Sequence, residues 1–227
     1  MNINKTHTKM KKAVIAAALV LLMGTVSAQE NEAKKKNWNT WIEVNYGVNL
    51  LDGSKGFADY MKAQYPVLDY QSSYIFSGVF GIGVGMEYRR FTFGLYADGQ
   101  GGSTAIKNQY VKKDDVLSHI DFGYRFDLGK GFALHPTAGF GFSTSDILFS
   151  TSRGGADYVN AFSARNYVVP LTLNFMAGKN GTEYGIYLQY LLNAGPLGKT
   201  FVTGLETEVD GLHFQPSTLT LGCRIRF

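Results

Sequence analysis

The chain has 227 residues, 45% hydrophobic and 18% charged, which excludes both a disordered polymer and a helical membrane bundle. Its 27 glycines and 14% aromatics, with only 5 prolines, disfavour helices and favour strands in one or two domains. A lone cysteine excludes a disulfide framework or a multi-cysteine zinc site, and the formal charge of +4 is modest.

Residues 1–28 read as a signal peptide. Lys5, Lys9, Lys11 and Lys12 form a basic start, Ala13 to Gly24 is an apolar run, and Val26-Ser27-Ala28 supplies small residues for cleavage after Ala28. The run is shorter than the roughly 20 residues a spanning helix needs. Its four lysines account for the +4 charge, so the remainder is formally neutral. Residues 29–38 read as a periplasmic leader and 39–227 as one barrel domain. Lys34–Lys36, the remaining basic cluster, reads as part of a solvated leader, so nucleic acid is not an expected partner.

Eight segments then alternate with a period of two, the signature of strands with two unlike faces. The first sets Ile42, Val44, Tyr46 and Val48 against Glu43, Asn45 and Gly47. The second sets Phe76, Phe80, Ile82, Val84, Met86 and Tyr88 against Ser77, Gly81, Gly83, Gly85, Glu87 and Arg89. In the third, Phe91, Phe93, Leu95 and Ala97 oppose Thr92, Gly94, Tyr96 and Asp98. In the fourth, Val116, Ile120, Phe122, Tyr124 and Phe126 oppose His119, Asp121, Gly123 and Arg125. Phe132 to Phe142 form the fifth, with His135, Thr137, Gly139 and Gly141 on the wetter face. The sixth runs from Tyr167 to Phe175, the seventh from Tyr184 to Tyr190, and the last from Thr218 to Phe227.

Short turns at Arg89-Arg90, 127–131 and 178–181 alternate with long connections near 50–74, 99–115, 143–165 and 194–215. That rhythm predicts an all-β, eight-stranded antiparallel up-and-down transmembrane β-barrel, with the short turns in the periplasm. A water-soluble barrel would bury the apolar face instead. Three features favour the membrane version. Glycines mixed with bulky charges suit a narrow lumen filled by side chains, aromatics recur near strand ends, and the chain ends on a strand at Phe227. Pro136 and Pro170 interrupt strand patterns and are expected near strand ends, at a bulge or a staggered rim.

Two stretches resemble the PorT-like outer-membrane β-barrel family of Gram-negative bacteria. Tyr167-Val168-Val169-Pro170-Leu171-Thr172-Leu173 is similar to its aromatic-x-x-Pro-Leu-x-Leu strand, and Leu219–Phe227 to its final glycine-containing strand with a terminal aromatic. The resemblance covers essentially the whole chain after the signal peptide. It implies outer-membrane lipid surroundings and insertion by the barrel-assembly machinery, with Phe227 as part of the assembly signal. It transfers no catalytic residue, and it includes members that assist secretion.

Glu43, Glu87, Arg89, His119, Asp121, Arg125, His135, Arg224 and Arg226 fall on the expected lumen face. Closure pairs the first and last strands, which brings Glu43 toward Arg224 or Arg226, and buried charges require partners. Ser118 and His119 are adjacent, so they point to opposite faces and make no nucleophile–base pair. His213, near Glu206 and Glu208, and the serines Ser150 and Ser152 carry no recognised catalytic spacing. Gly81-x-Gly83-x-Gly85 lies within one strand and lacks the strand–turn–helix setting of a phosphate loop. Phe57, Tyr60, Tyr65, Tyr70, Tyr74, Tyr158 and Phe162 are candidate loop aromatics, for a partner or glycan or for a packed loop cap. Cys223 reads as a small lipid-facing residue. The expectation is a monomeric, non-enzymatic barrel without cofactor or metal, in a structural or surface-interaction role with an unidentified ligand. The alternatives are an outer-membrane enzyme on lipid or glycan and an accessory factor in secretion or small-solute transport.

Overall fold

The structure, a computed structural model, describes residues 38–51, 62–63, 77–106, 109–153, 156–179, 181–197, 200–202, 207–209 and 218–227. The ladder segments are β1 (Trp38–Leu51), β2 (Ser77–Tyr88), β3 (Phe91–Ile106), β4 (Gln109–Tyr124), β5 (Phe126–Gly129) and β6 (Phe132–Arg153). They continue as β7 (Ala156–Lys179), β8 (Thr182–Pro196), β9 (Thr200–Val202), β10 (Thr207–Val209) and β11 (Thr218–Arg226). Segments β4 and β5 are one barrel strand interrupted at Arg125, since both pair with β6. The β9–β10 hairpin leans on the upper part of β7. The wall therefore has eight antiparallel strands, each beside its chain neighbours, and β11 returns to β1.

Closure is complete to the last residue. Ile42 and Phe227 exchange both backbone hydrogen bonds, at 3.0 and 2.8 Å, and the seam continues from Glu43↔Arg226 to Leu51↔Leu219. A closed wall leaves no row of unpaired amides, each of which would cost several kcal/mol in hydrocarbon.

Three turns gather at the end where the chain enters at Trp38 and leaves at Phe227. Arg89, Lys130, Gly129, Gly131 and Gly181 adopt positive φ there, at 60°, 55°, 85°, 83° and 90°. This corrects the placement of Arg89. It is an exposed turn residue with its guanidinium 5.3 Å above the Tyr88 ring, because the alternation of β2 stops one residue earlier.

At the opposite end two connections expected as loops, 99–115 and 143–165, are mostly regular ladder. Register continues to Ile106↔Gln109 and to Arg153↔Ala156. Segments β6 and β7 are 22 and 24 residues long, against 9 for β11. A tilted strand crosses hydrocarbon in about 9–11 residues, so β3, β4, β6 and β7 build a tall wall on one side.

Pro136 lies near the start of β6, as expected, whereas Pro170 differs from expectation and lies well inside β7. Pro136 keeps its place opposite Leu173. Beside Pro170 the β6–β7 ladder skips Gly139 and Phe140 and resumes in the same register, as expected where a residue has no N–H to donate. An irregularity between Tyr167 and Val168 adjusts the β8 side.

Side chains alternate strictly. Outward-facing Tyr46, Phe80, Phe122 and Phe140 are more than half exposed, whereas inward-facing Glu43, Asp98, His119, Asp121, Arg224 and Arg226 are buried. This polarity is inverted relative to a water-soluble core, and it holds up to one cross-strand row, Val116–Thr144–Arg165. Arg165 is exposed in that row, and above it Lys112 and Asp114 face outward, exposed, while Val111, Ile147, Phe149 and Phe162 point inward and are buried.

Candidate functional site

Lumen-facing glycines make the interior possible. A Cβ on Gly83 would sit 2.5 Å from the Tyr96 ring, and one on Gly85 would sit 2.3 Å from Trp41. The glycine run on β2 is therefore a recess that admits two aromatic side chains and the Asp98 carboxylate into a narrow barrel.

The central cluster is anchored by Glu43 on β1. Its Oε1 meets Arg224 Nη1 at 2.8 Å, and its Oε2 accepts from Arg226 Nη2 at 2.8 Å and Nε at 3.1 Å. The seam register Glu43↔Arg226 and Asn45↔Arg224 dictates this meeting. Both guanidinium groups also cover rings, Arg224 at 4.3 Å from Tyr187 and Arg226 at 4.2 Å from Trp41.

One layer further from the turns, His119 lies between two carboxylates. Its Nδ1 meets Asp121 Oδ1 at 2.5 Å, its Nε2 meets Asp98 Oδ2 at 3.0 Å, and the ring stacks on Tyr96 at 4.9 Å. A carboxylate oxygen thus stands at each ring nitrogen. Asn45 donates to the other Asp98 oxygen at 3.0 Å, and Thr137 donates to Asp121 at 3.3 Å. Glu43, Asp98 and Asp121 thus face Arg224, Arg226 and His119, three acidic side chains against three basic ones. The space enclosed by Asn45, Tyr96, Asp98, His119, Tyr187 and Arg224 has no room for a water molecule.

Among the described residues no carboxylate pairs with His135. Its Nε2 lies 2.5 Å from Thr92 Oγ1, and its carbonyl accepts from Asn174 at 2.8 Å. Above the charges, Asn49 donates to Ser77 at 2.7 Å and to Gln100 at 2.9 Å, and accepts from Thr220 at 2.5 Å. Leu117, Val168 and Leu191 add a small apolar plug. Higher still, the buried Lys113 and Asp115 pair at 3.0 Å.

At the turn end Arg125 contacts Glu183 at 2.6 Å and Asp127 at 2.9 Å, with Glu87 at 4.0 Å. Below these groups a cavity of ≈ 660 Å³ opens.

Seven of the lumen residues expected from sequence fall into two groups, with His135 buried apart from both and Arg89 outside the lumen. Glu43, Arg224, Arg226, His119 and Asp121 come together in the centre, and Glu87 and Arg125 stand at the turn-end rim. Sequence reasoning did not assign roles to Asp98, Asn45, Glu183, Lys113 and Asp115. Asp98 carried the signal, being an acid on the wetter face of its segment. Phe162 is not a loop aromatic but an inward, buried residue of β7. Tyr158 belongs to the same strand. Phe57, Tyr60, Tyr65, Tyr70, Tyr74, Glu206 and His213 lie outside the described residues. Ser118 and His119 occupy opposite faces, so that pair forms no catalytic unit. Cys223 is exposed on the outer surface. Among the described residues no cluster of His, Cys, Asp and Glu has the spacing of a metal site.

No family model matches the chain, and no curated protein matches it. Among solved structures it is similar to Neisserial surface protein A, at 10% identity over 84% of this chain and 96% of that one, with a TM-score of 0.45. It is similar to Ail, the attachment invasion locus protein of Yersinia pestis, at 11% identity over 83% and 97%, TM-score 0.42. It is similar also to a major outer membrane protein from Thermus thermophilus, at 10% identity over 83% and 100%, TM-score 0.45.

Proposed function

We propose that this protein is an integral outer-membrane barrel with a sealed lumen, serving a structural or surface-interaction role without catalysis. One observation carries the reading. On β4 the exposed face passes from Ile120 and Phe122 below the row Val116–Thr144–Arg165 to Lys112 and Asp114 above it, while on β4, β6 and β7 Val111, Ile147, Phe149 and Phe162 enter the inner face above it. A strand that keeps its geometry but exchanges polarity is passing from hydrocarbon into water. The tall wall then projects from the cell surface, and the turns face the periplasm.

The dense charge network argues against conduction, since a permeating ion would have to displace buried pairs. The seam at Phe227 accords with assembly from the final strand by the barrel-assembly machinery after cleavage near Ala28. The finer kinship with PorT-like barrels rests on the Tyr167–Leu173 and Leu219–Phe227 stretches alone. Reconstitution into planar bilayers tests the reading. Negligible single-channel conductance is expected, and a stable ohmic pore would overturn the sealed lumen.

A further inference from the structure

The turn end carries basic side chains at positions where the backbone does not ask for them. Among the described residues Arg89 and Lys130 are the two other than glycine with positive φ, at 60° and 55°. Tight hairpin turns fill such positions with glycine, asparagine or aspartate, which enter the left-handed region at least cost. Gly129 and Gly131 do so on either side of Lys130. Arg89, Arg90 and Lys130 are all exposed.

The two turns form one unit. The Arg125 amide donates to the Arg90 carbonyl at 2.8 Å, and Arg90 Nη2 approaches Asp127 Oδ2 to 3.7 Å. Asp127 is the only acid in either turn, and Arg125 Nε already donates to it at 2.9 Å. Glu87 and Glu183 face Arg125 on the lumen side. Three exposed cations are therefore left with part of one carboxylate.

Next to these tips, on the outer face, lies an aromatic ledge. Ring centroids are 4.6 Å apart for Trp38 and Tyr88, 5.1 Å for Phe91 and Tyr124, and 4.8 Å for Tyr124 and Phe126. Trp38, Phe91 and Leu128 are more than half exposed. Aromatic belts of this kind sit at the level of lipid headgroups, so cations just beyond them stand among phosphates rather than in bulk water. Unmatched cations beside an apolar ledge select an amphiphile with an anionic polar end.

We propose that the linked β2–β3 and β5–β6 turns bind the phosphate of an anionic phospholipid through Arg89, Arg90 and Lys130, with its acyl chains against Phe91, Tyr124 and Phe126. A zwitterionic headgroup brings its own cation beside the phosphate and gains less from the site. The inference rests on the outer face touching lipid, as proposed above, and not on whether the lumen is sealed.

Trp38 and Trp41 are the 2 tryptophans of the chain. Trp41 is buried in the lumen, whereas Trp38 lies exposed against Tyr88, so Trp38 fluorescence reads the lipid beside the site. The test places the folded protein in mixed bilayers of phosphatidylcholine and phosphatidylglycerol, with bromine on the acyl chains of one lipid or the other. Brominated phosphatidylglycerol is expected to compete for Trp38 about five-fold better than brominated phosphatidylcholine, the ratio that roughly 1 kcal/mol of ion pairing supplies. Arg89→Gln/Arg90→Gln/Lys130→Gln should bring that ratio close to one. Arg89→Gly/Lys130→Gly suits the left-handed backbone, so it should fold at least as stably and still lose most of the preference. A ratio near one in the parent, or a preference that survives both variants, would overturn the proposal. Inorganic phosphate, set against chloride at equal ionic strength, should leave the ratio unchanged. A fall would show that the turns take free phosphate instead of a lipid, and would overturn it likewise. Absence of quenching by either brominated lipid would overturn the lipid-facing outer wall, and the proposal with it.

Discussion

The lower barrel and the tall wall share strands, register and alternation, yet they are opposite objects. Below the row Val116–Thr144–Arg165, β4 shows Ile120 and Phe122 to the outside and turns His119 and Asp121 inward. Above it the same strand exposes Lys112 and Asp114 and buries Val111. Ile147, Phe149 and Phe162 repeat the change on β6 and β7, each no more than 5% exposed. Strand geometry is indifferent to solvent, whereas side-chain choice is not. The row where polarity exchanges marks where the surroundings change. The lower lumen holds a closed charge network, whereas the wall above sets Val111, Ile147, Phe149 and Phe162 beside one buried Lys113–Asp115 pair.

The strongest way to break this contrast is to remove the centre of the lower network. Glu43→Ala leaves Arg224 and Arg226 buried without their shared carboxylate, and removing one partner of a buried pair costs about 3–5 kcal/mol. Urea unfolding from lipid vesicles should show a loss of that size. Next comes charge on the outer face. Ile120→Arg, well below the row, should cost about 2–4 kcal/mol in the same assay, the penalty for a cation on the lipid face near the midplane. Ala105→Arg, exposed above the row, should stay within about 0.5 kcal/mol, as surface changes do. Equal costs at the two positions would erase the distinction between regions. The smallest effect belongs to the exposed Lys112–Asp114 pair. Replacing both residues by alanine should change stability by about 1 kcal/mol at most, and less at high salt.

Much of the lower barrel is legible in the sequence, because apolar residues outside and mostly polar groups inside keep the two faces distinct. The seam argument alone brings Glu43 toward the last strand. The upper wall was hidden for the same physical reason. Where the faces exchange polarity, a period-two pattern loses its phase, so Val111-Lys112-Lys113-Asp114-Asp115 reads as a polar loop although every residue is ladder. Arg89 misled in the other direction, since alternation extrapolated through a turn assigns a face to a residue that has none. Pro170 suggested a strand end, but a barrel held on both sides tolerates a two-residue gap in one ladder. The service of Asp98 to both His119 and Asn45 depends on cross-strand register, which a single segment does not encode.

The central claim is most directly tested by asking which solvent touches each region. In a Cys223→Ser background, a fluorophore is attached at Ile120→Cys or at Lys112→Cys and the protein is reconstituted with brominated lipid. The account predicts strong quenching by lipid at Ile120→Cys and none at Lys112→Cys, with aqueous acrylamide giving the reverse. Equal access of acrylamide to both positions in the folded protein would contradict it.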